Sequence, residues 1–243
     1  MQPMQRLIAP VLLASCLAAC QPAADDGRPP SAREFPRAYR GVSAPAGSSV
    51  SSEKARDDRR EAETVMELAD IRPGMTLADL GAGEGYYTVR LADRVGPRGR
   101  VLAEDIDPGV RRRLADRVER ERLDNVSVQL GTVDNPKLPE NSFDRIFMVH
   151  MYHEVAEPYA FLWNMRSALR EGGKVIVVEV DGPPSQHGLE PKLLFCEFDH
   201  VGFRLEEFVR KPELAGYYAQ FVAEGLRPEP QDIEPCSQPG DQN

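Results

Sequence analysis

Residues 77–92, LADLGAGEGYYTVRLA, decide the fold class of this chain. The apolar run that ends at Leu80 predicts a buried strand, the glycines after it predict a tight turn, and a helical pattern begins at Tyr86. Such a turn presents backbone N–H groups to a nucleotide-like ligand at a helix N-terminus. The glycine spacing is G-x-G-x-G, and Tyr86 stands where a dinucleotide-binding turn has its third glycine, which weakens a dinucleotide interpretation.

An acidic residue follows the next predicted strand. The run VLAED at 101–105 ends in carboxylates, and Asp105 lies 22 residues after Gly83. A carboxylate at the carboxyl end of the second strand can accept hydrogen bonds from both hydroxyl groups of a ribose. The glycine turn and the acid together therefore predict a site for a nucleoside-containing ligand.

Helical and strand patterns alternate along the rest of the chain, which predicts an α/β fold with crossover connections. Five parallel strands are followed by two runs without a helix-length connection, so these two should pair antiparallel. The predicted fold is a Rossmann-like, doubly wound, seven-stranded sheet, mostly parallel with an antiparallel C-terminal strand. The predicted helices cover 53–69, 86–95, 108–122, 158–169 and 191–201, and the predicted strands cover 76–80, 100–105, 126–130, 143–150, 174–180, 203–209 and 217–223.

Length and composition narrow the functional classes. The chain has 243 residues and a net charge of −9, which favours one domain and disfavours a nucleic-acid surface. The dense basic run at 111–122 is interleaved with acids and is typical of an ion-paired, solvated helix. The four cysteines have no C-x-x-C spacing and no zinc-like arrangement with the four histidines, so no metal site is predicted.

The N-terminus carries the pattern of an export signal. A short segment with Arg6 precedes the apolar run 7–19, which is too short to span a bilayer comfortably. The tetrapeptide LAAC ending at Cys20 resembles a bacterial lipobox, and the one ending at Cys16 fits less well. We therefore expect residues 1–20 to be a signal peptide whose Cys20 is lipidated.

The predicted location follows from that signal. A lipid-anchored chain would lie in the bacterial cell envelope and face the periplasm, and Gln21 after the anchor favours the outer membrane. If translation starts later, the chain is cytoplasmic. In the exported form, Cys196 and Cys236 are the remaining pair for a disulfide.

The segments flanking the predicted domain at 53–227 are polar. Residues 21–52 are rich in Pro, Ala, Ser and Gly and predict a flexible linker, and residues 228–243 predict a disordered tail.

Over about residues 60–224 the chain resembles the class I S-adenosylmethionine-dependent methyltransferases. The matching segments are DLGAGEGYYT, VLAEDIDP, GTVDNPKLPENSFDRIFMVHMYHEV and LREGGKVIVVEV. The resemblance implies that S-adenosylmethionine is the cofactor and that the ribose is held by Asp105. It further implies that Thr132 occupies the usual position of an acid that meets the adenine, with Asp134 as the substitute. The implied cofactor-binding residues are Asp79, Gly81, Gly83, Gly85, Asp105, Ile106, Thr132, Val133 and Asp134.

The segment after the fourth strand provides the candidate reaction centre. It leaves the carboxyl edge of the sheet, where open α/β folds bind ligands. The resemblance places His150 near the methionine amino group, whereas Tyr152, His153 and Glu154 are candidates for orienting an acceptor or taking its proton. The alternative for His153 and Glu154 is a helix cap or a mutual pair. A metal held by His150 and His153 is disfavoured because no carboxylate pattern supports it.

Three functional hypotheses follow. The first is a methyltransferase that acts on a small-molecule acceptor, and the second is a lipid-anchored binding module that kept the fold without catalysis. The third, a dehydrogenase-like enzyme, is disfavoured by Tyr86.

Overall fold

The computed structural model describes residues 25–44 and 52–236. They form a seven-stranded sheet with helices on both faces, and within these ranges no helix is long and apolar enough to cross a membrane. The predicted lipobox, with Cys16 and Cys20, lies outside the described residues. The strands are β1 (Thr76–Leu80), β2 (Arg100–Asp105), β3 (Val126–Leu130), β4 (Phe143–Val149), β5 (Leu169–Glu179), β6 (Phe203–Lys211) and β7 (Gly216–Ala223). The helices are α1 (Glu53–Asp58), α2 (Glu61–Leu68), α3 (Tyr86–Val95), α4 (Pro108–Arg120), α5 (Pro158–Arg166) and α6 (Pro191–His200).

The strand order is β3-β2-β1-β4-β5-β7-β6. Strands β1 to β5 pair in parallel, whereas β7 lies between β5 and β6 and is antiparallel to both. The predicted mostly parallel sheet with an antiparallel C-terminal hairpin is therefore confirmed. The chain order reverses between β1 and β4, and this reversal opens a crevice at the carboxyl ends of these strands.

Alternate residues of the central strands supply the two layers of the core. Leu77 packs with α2 and α3 on one face of the sheet, and its neighbours Ala78 and Leu80 pack with α5 and α6 on the other. Phe147 of β4 likewise faces the first layer and Met148 the second. Because both faces are covered, the carboxyl edge of the sheet remains as the place for a ligand.

The predicted helix over 53–69 is two helices. Arg60 has a left-handed φ of 56°, which ends α1 and redirects the chain into α2. The sequence of α1 has no large apolar residue and none of its residues is buried. Its acids instead pair with α4 and α3, because Glu53 contacts Arg117 and Asp57 contacts Arg90.

Residues 25–44 differ from the predicted flexible linker. Phe35 is buried in the same core layer as α5 and α6. Arg28 binds Glu157 of the domain, and Arg40 binds Glu197 with both side chains only 1% exposed. These partners stand 129 and 157 residues away in the sequence, so the local composition gave no sign of them.

Residues 228–236 differ from the predicted disordered tail. Ile233 is buried, and the backbone N–H of Cys236 donates to the hydroxyl of Tyr159 at 2.7 Å. A disulfide joins Cys196 of α6 to Cys236. The segment is held by this covalent link, which joins the predicted cysteine pair, and by contacts with α5, which its polar composition does not indicate.

Candidate functional site

The glycine turn lies at the carboxyl end of β1. Gly81, Gly83 and Gly85 have left-handed φ values of 60°, 57° and 87°, which residues with a side chain adopt only under strain. A Cβ at Gly85 would lie 2.6 Å from Leu114, and one at Gly81 would lie 2.9 Å from the side chain of Met151. The turn thus brings bare backbone to the crevice and places the segment after β4 directly over it.

Asp105 lies beside this turn. Its carboxylate accepts the backbone N–H of Gly83 at 3.1 Å and that of Asp107 at 2.9 Å. Burial raises the pKa of the Asp105 carboxyl above its ordinary value. The two motifs 22 residues apart in the sequence are therefore joined by a direct hydrogen bond.

Exposed apolar side chains surround Asp105 at the ends of β2 and β3. Ile106, Leu130 and Val133 are large hydrophobic residues with 45%, 39% and 39% exposure. An apolar surface next to a carboxylate suits the flat base and the ribose of a nucleoside. By this test, the described residues fit the adenosine part of S-adenosylmethionine.

Two further acids lie behind the turn. Asp79 is buried and accepts the hydroxyl of Thr88 at 2.6 Å, and burial raises the pKa of its carboxyl to about 6. Glu104 is also buried, and its Oε1 has no hydrogen-bond partner among the described residues. Burial, together with the neighbouring Asp105, raises the pKa of the Glu104 carboxyl to about 8. The sequence pattern indicates Asp105 and gives no sign that its neighbour Glu104 is buried beside the turn.

The loop after β3 contains three of the predicted cofactor-binding residues, Thr132, Val133 and Asp134, and their surroundings differ. The hydroxyl of Thr132 donates to the carbonyl of Asn135 at 3.0 Å and closes the loop. Val133 is 39% exposed, whereas Asp134 is 3% exposed and accepts the hydroxyl of Ser31. Asp134 therefore anchors the N-terminal segment through this hydrogen bond, and its contact with the adenine stays a prediction.

His150 ends β4 with a left-handed φ of 52°. Its backbone N–H donates to Val178 at 2.8 Å, and its Nε2 lies 3.5 Å from Oε1 of Glu61. Burial alone would raise the pKa of the Glu61 carboxyl, but His150 and Arg56 outweigh it and lower that pKa to about 2. His150 thus lies at the crevice with an acid from α2 beside its ring.

Tyr152 does not face the crevice. Its side chain is fully buried, and its hydroxyl donates to Oε2 of Glu197 at 2.8 Å. The guanidinium of Arg40 lies 5.4 Å from the centre of its ring. Tyr152 is therefore part of the buried network that holds the N-terminal segment, and its prediction as an acceptor-orienting residue is wrong.

His153 and Glu154 follow in the same short turn, Tyr152–Glu154. The side chain of His153 is 2% exposed, and its Nδ1 lies 2.8 Å from Oε2 of Glu179 at the end of β5. Glu154 is less buried, and its Oε1 is 3.7 Å from Nε2 of His153. The nearest ionisable partner of His153 is thus Glu179. The sequence gives no sign of this pair, because Glu179 is part of the predicted strand 174–180.

Residues 77–173 match the family model of the methyltransferase domain. Among curated proteins, the ubiquinone/menaquinone biosynthesis C-methyltransferase UbiE of Shewanella sp. (strain ANA-3) is 31% identical over 170 residues, which cover 68% of this chain. The chain spans 64% of that relative's length.

Solved structures share the fold. A SAM-dependent methyltransferase from Aquifex aeolicus aligns with a TM-score of 0.60 at 24% identity, covering 70% of this chain and 97% of that one. Aeropyrum pernix fibrillarin, in complex with natively bound S-adenosyl-L-methionine, aligns with a TM-score of 0.51 at 21% identity, covering 69% and 76%. Residues 77–173 therefore match a methyltransferase domain, and the chain shares the fold of these solved structures.

Proposed function

We propose that this chain is an S-adenosylmethionine-dependent methyltransferase acting on a small-molecule acceptor. The observation that carries the proposal is the hydrogen bond between Gly83 of the left-handed turn and Asp105, with exposed Ile106 and Val133 beside it. The cofactor supplies a methyl group already activated on a sulfonium. The protein contributes mainly binding and orientation of the two reactants.

The charge distribution supports a small acceptor over a nucleic acid. The net charge is −9, and ion pairs neutralise part of the basic helix α4. Arg113 pairs with Glu84 at 2.9 Å, and Arg117 pairs with both Glu53 and Glu121. These paired guanidinium groups would have to exchange their carboxylates for phosphates before they contributed to nucleic-acid binding.

The cofactor assignment predicts a large loss of affinity in Asp105→Ala. Removing a carboxylate that accepts two ribose hydroxyl groups should weaken S-adenosylhomocysteine binding at least about 100-fold, since hydrogen bonds to a charged group contribute about 1.5–3 kcal/mol each. Calorimetric titration of the purified protein measures this constant. Asp93→Ala, which removes an exposed carboxylate on α3, is the matched control and should bind like the wild type.

Two results would change the proposal. Wild-type protein that binds no S-adenosylhomocysteine, or equal binding by Asp105→Ala, contradicts the cofactor assignment. Tight binding without transfer to any acceptor of a small-molecule extract would favour the non-catalytic binding module instead.

We further propose that the chain is exported and anchored by a lipid on Cys20. The disulfide between Cys196 and Cys236 supports export, because such bonds persist in oxidising compartments such as the periplasm. Labelled palmitate supplied to an expressing bacterium should enter the wild-type protein and the Cys16→Ser control, and should be absent from Cys20→Ser. Label that stays in Cys20→Ser contradicts the assignment of that cysteine.

A further inference from the structure

A second polar cluster lies at the carboxyl end of β5, next to the crevice. His153 and Glu154 come from the turn after β4, and His187 comes from the loop after β5. Each side chain offers one ligand atom, and these atoms all lie within 4.8 Å of one another. The rings of His153 and His187 are 5.7 Å apart at an angle of 79°, so they converge at an edge instead of stacking face to face.

The buried nitrogen of His153 points to a ligand. Because Nδ1 of His153 is 2.8 Å from the fully buried carboxylate of Glu179, we assign the ring proton to Nδ1. Nε2 then carries a lone pair, and it is buried without a hydrogen-bond partner among the described residues. A buried polar atom left without a partner destabilises the fold, and a bound cation would offset that cost.

Glu179 strengthens this reading. It also accepts the backbone N–H of His153 at 3.2 Å, so one carboxylate fixes both the ring and the main chain of the residue. Histidines that bind metals characteristically donate their second ring N–H to a carboxylate, which orients the ring and makes the free nitrogen more basic. The pair of Glu179 and His153 has this arrangement before any metal is bound.

We propose that His153, Glu154 and His187 bind one divalent transition-metal ion of the zinc type. Two imidazole nitrogens and one carboxylate oxygen suit zinc, and three protein ligands leave a fourth position open. Tetrahedral zinc needs ligand atoms about 3.3 Å apart, given bonds of about 2.0–2.2 Å. His187 is exposed and Glu154 only partly buried, so both side chains can close the remaining distance on His153.

The fourth coordination position of the ion, which the protein leaves open, indicates which class of acceptor the site would bind. This inference about the acceptor rests on the proposed methyltransferase function. The cluster is reached from β4 through Met151, whose side chain covers Gly81 of the cofactor turn. A hydroxyl or thiol group of the acceptor bound to the ion would have a lowered pKa and would lie at the same edge as the cofactor. The metal site therefore favours an oxygen or sulfur acceptor.

The metal site is tested without the cofactor. The full chain is freed of metal by a chelator and titrated with Zn²⁺ by calorimetry and with Co²⁺ by visible absorption, without reductant. The closed disulfide keeps Cys196 and Cys236 from acting as ligands, although these two residues form a second group with His200. We expect one ion per chain and a cobalt spectrum of nitrogen and oxygen ligands without a thiolate charge-transfer band.

Variants identify the ligands. His187→Ala removes an exposed side chain and should weaken Zn²⁺ binding at least 10-fold, and Glu154→Gln should do the same. His150→Gln is the matched control, because His150 pairs with Glu61 and lies outside the cluster, and it should bind Zn²⁺ like the wild type. Absence of stoichiometric binding, or unchanged affinity in His187→Ala, overturns the proposal, and neither result depends on whether S-adenosylhomocysteine binds.

Discussion

Glu197→Ala is expected to lower the free energy of unfolding by about 3–5 kcal/mol, which is the usual cost of removing one partner of a buried ion pair. Arg40 and Glu197 are each 1% exposed, and Nε of Arg40 donates to Oε1 of Glu197 at 2.8 Å. The variant leaves the guanidinium of Arg40 buried with only the carbonyl groups of Tyr152 and Val155 as partners. Urea denaturation of the wild type and the variant measures the difference.

Two further variants separate burial from charge in this measurement. Glu224→Ala breaks the exposed pair between Arg204 and Glu224 and should cost less than about 1 kcal/mol. The double variant Arg40→Met, Glu197→Leu replaces both charges with apolar groups and should lose less stability than Glu197→Ala alone. If Glu197→Ala and Glu224→Ala lose equal amounts, the buried pair does not stabilise the protein as argued.

The same pair decides whether residues 25–44 stay docked on the domain. Arg40 is the last ion-paired residue of this segment, and Arg37 is an exposed trypsin site three residues before it. We therefore expect trypsin to cleave after Arg37 faster in Glu197→Ala than in the wild type, since local opening exposes the chain to proteases.

The sheet and the cofactor edge were predictable because their signals are local. A strand, a glycine turn and a helix stand in one run of sixteen letters at 77–92, and Asp105 closes the next strand at a recognisable distance. Crossover connections in such folds have one hand, so the order of elements leaves few possible topologies. The glycine turn and Asp105 are consequently neighbours at the carboxyl edge of the sheet, as the sequence predicts.

The parts that were wrong depend on partners far away in the sequence. Residues 25–44 and 228–236 are polar and proline-rich, and their docking rests on Arg28, Arg40 and Cys236, whose partners lie in α5, α6 and the loop before α5. Tyr152 stood in a segment rich in candidate groups, and only the packing of Glu197 shows that it faces the core. Local composition contains no information on such pairs.

The polar partners in the site were missed for a related reason. Glu104 and Glu179 each follow a run of apolar strand residues. From the sequence alone, an acid in that position is most simply taken as the point where the strand emerges into solvent. Both are buried instead. Burial raises the pKa of the Glu104 carboxyl, and acids perturbed in this way cluster at functional sites, so the property that marks Glu104 belongs to the folded environment and not to the sequence pattern.

Glu104→Gln should make the stability of the protein less sensitive to alkaline pH. Burial raises the pKa of the Glu104 carboxyl from 4.5 to about 8, so the folded protein holds this proton more tightly than the unfolded chain does. Its contribution to stability is complete below pH 4.5 and is lost as the pH rises to about 8. The loss over this window is roughly 3–5 kcal/mol, at about 1.4 kcal/mol for each unit of pKa difference.

Glutamine keeps the shape of the protonated carboxyl and cannot ionise, so it separates this titration from that of other groups. At pH 5 the variant and the wild type should unfold at similar urea concentrations, whereas at pH 9 the variant should be more stable by several kcal/mol. Glu119→Gln, on the exposed face of α4, is the control and should follow the wild type at both pH values. A constant difference between Glu104→Gln and the wild type from pH 5 to pH 9 would show that Glu104 ionises normally, and the cofactor edge would then carry a second full negative charge beside Asp105.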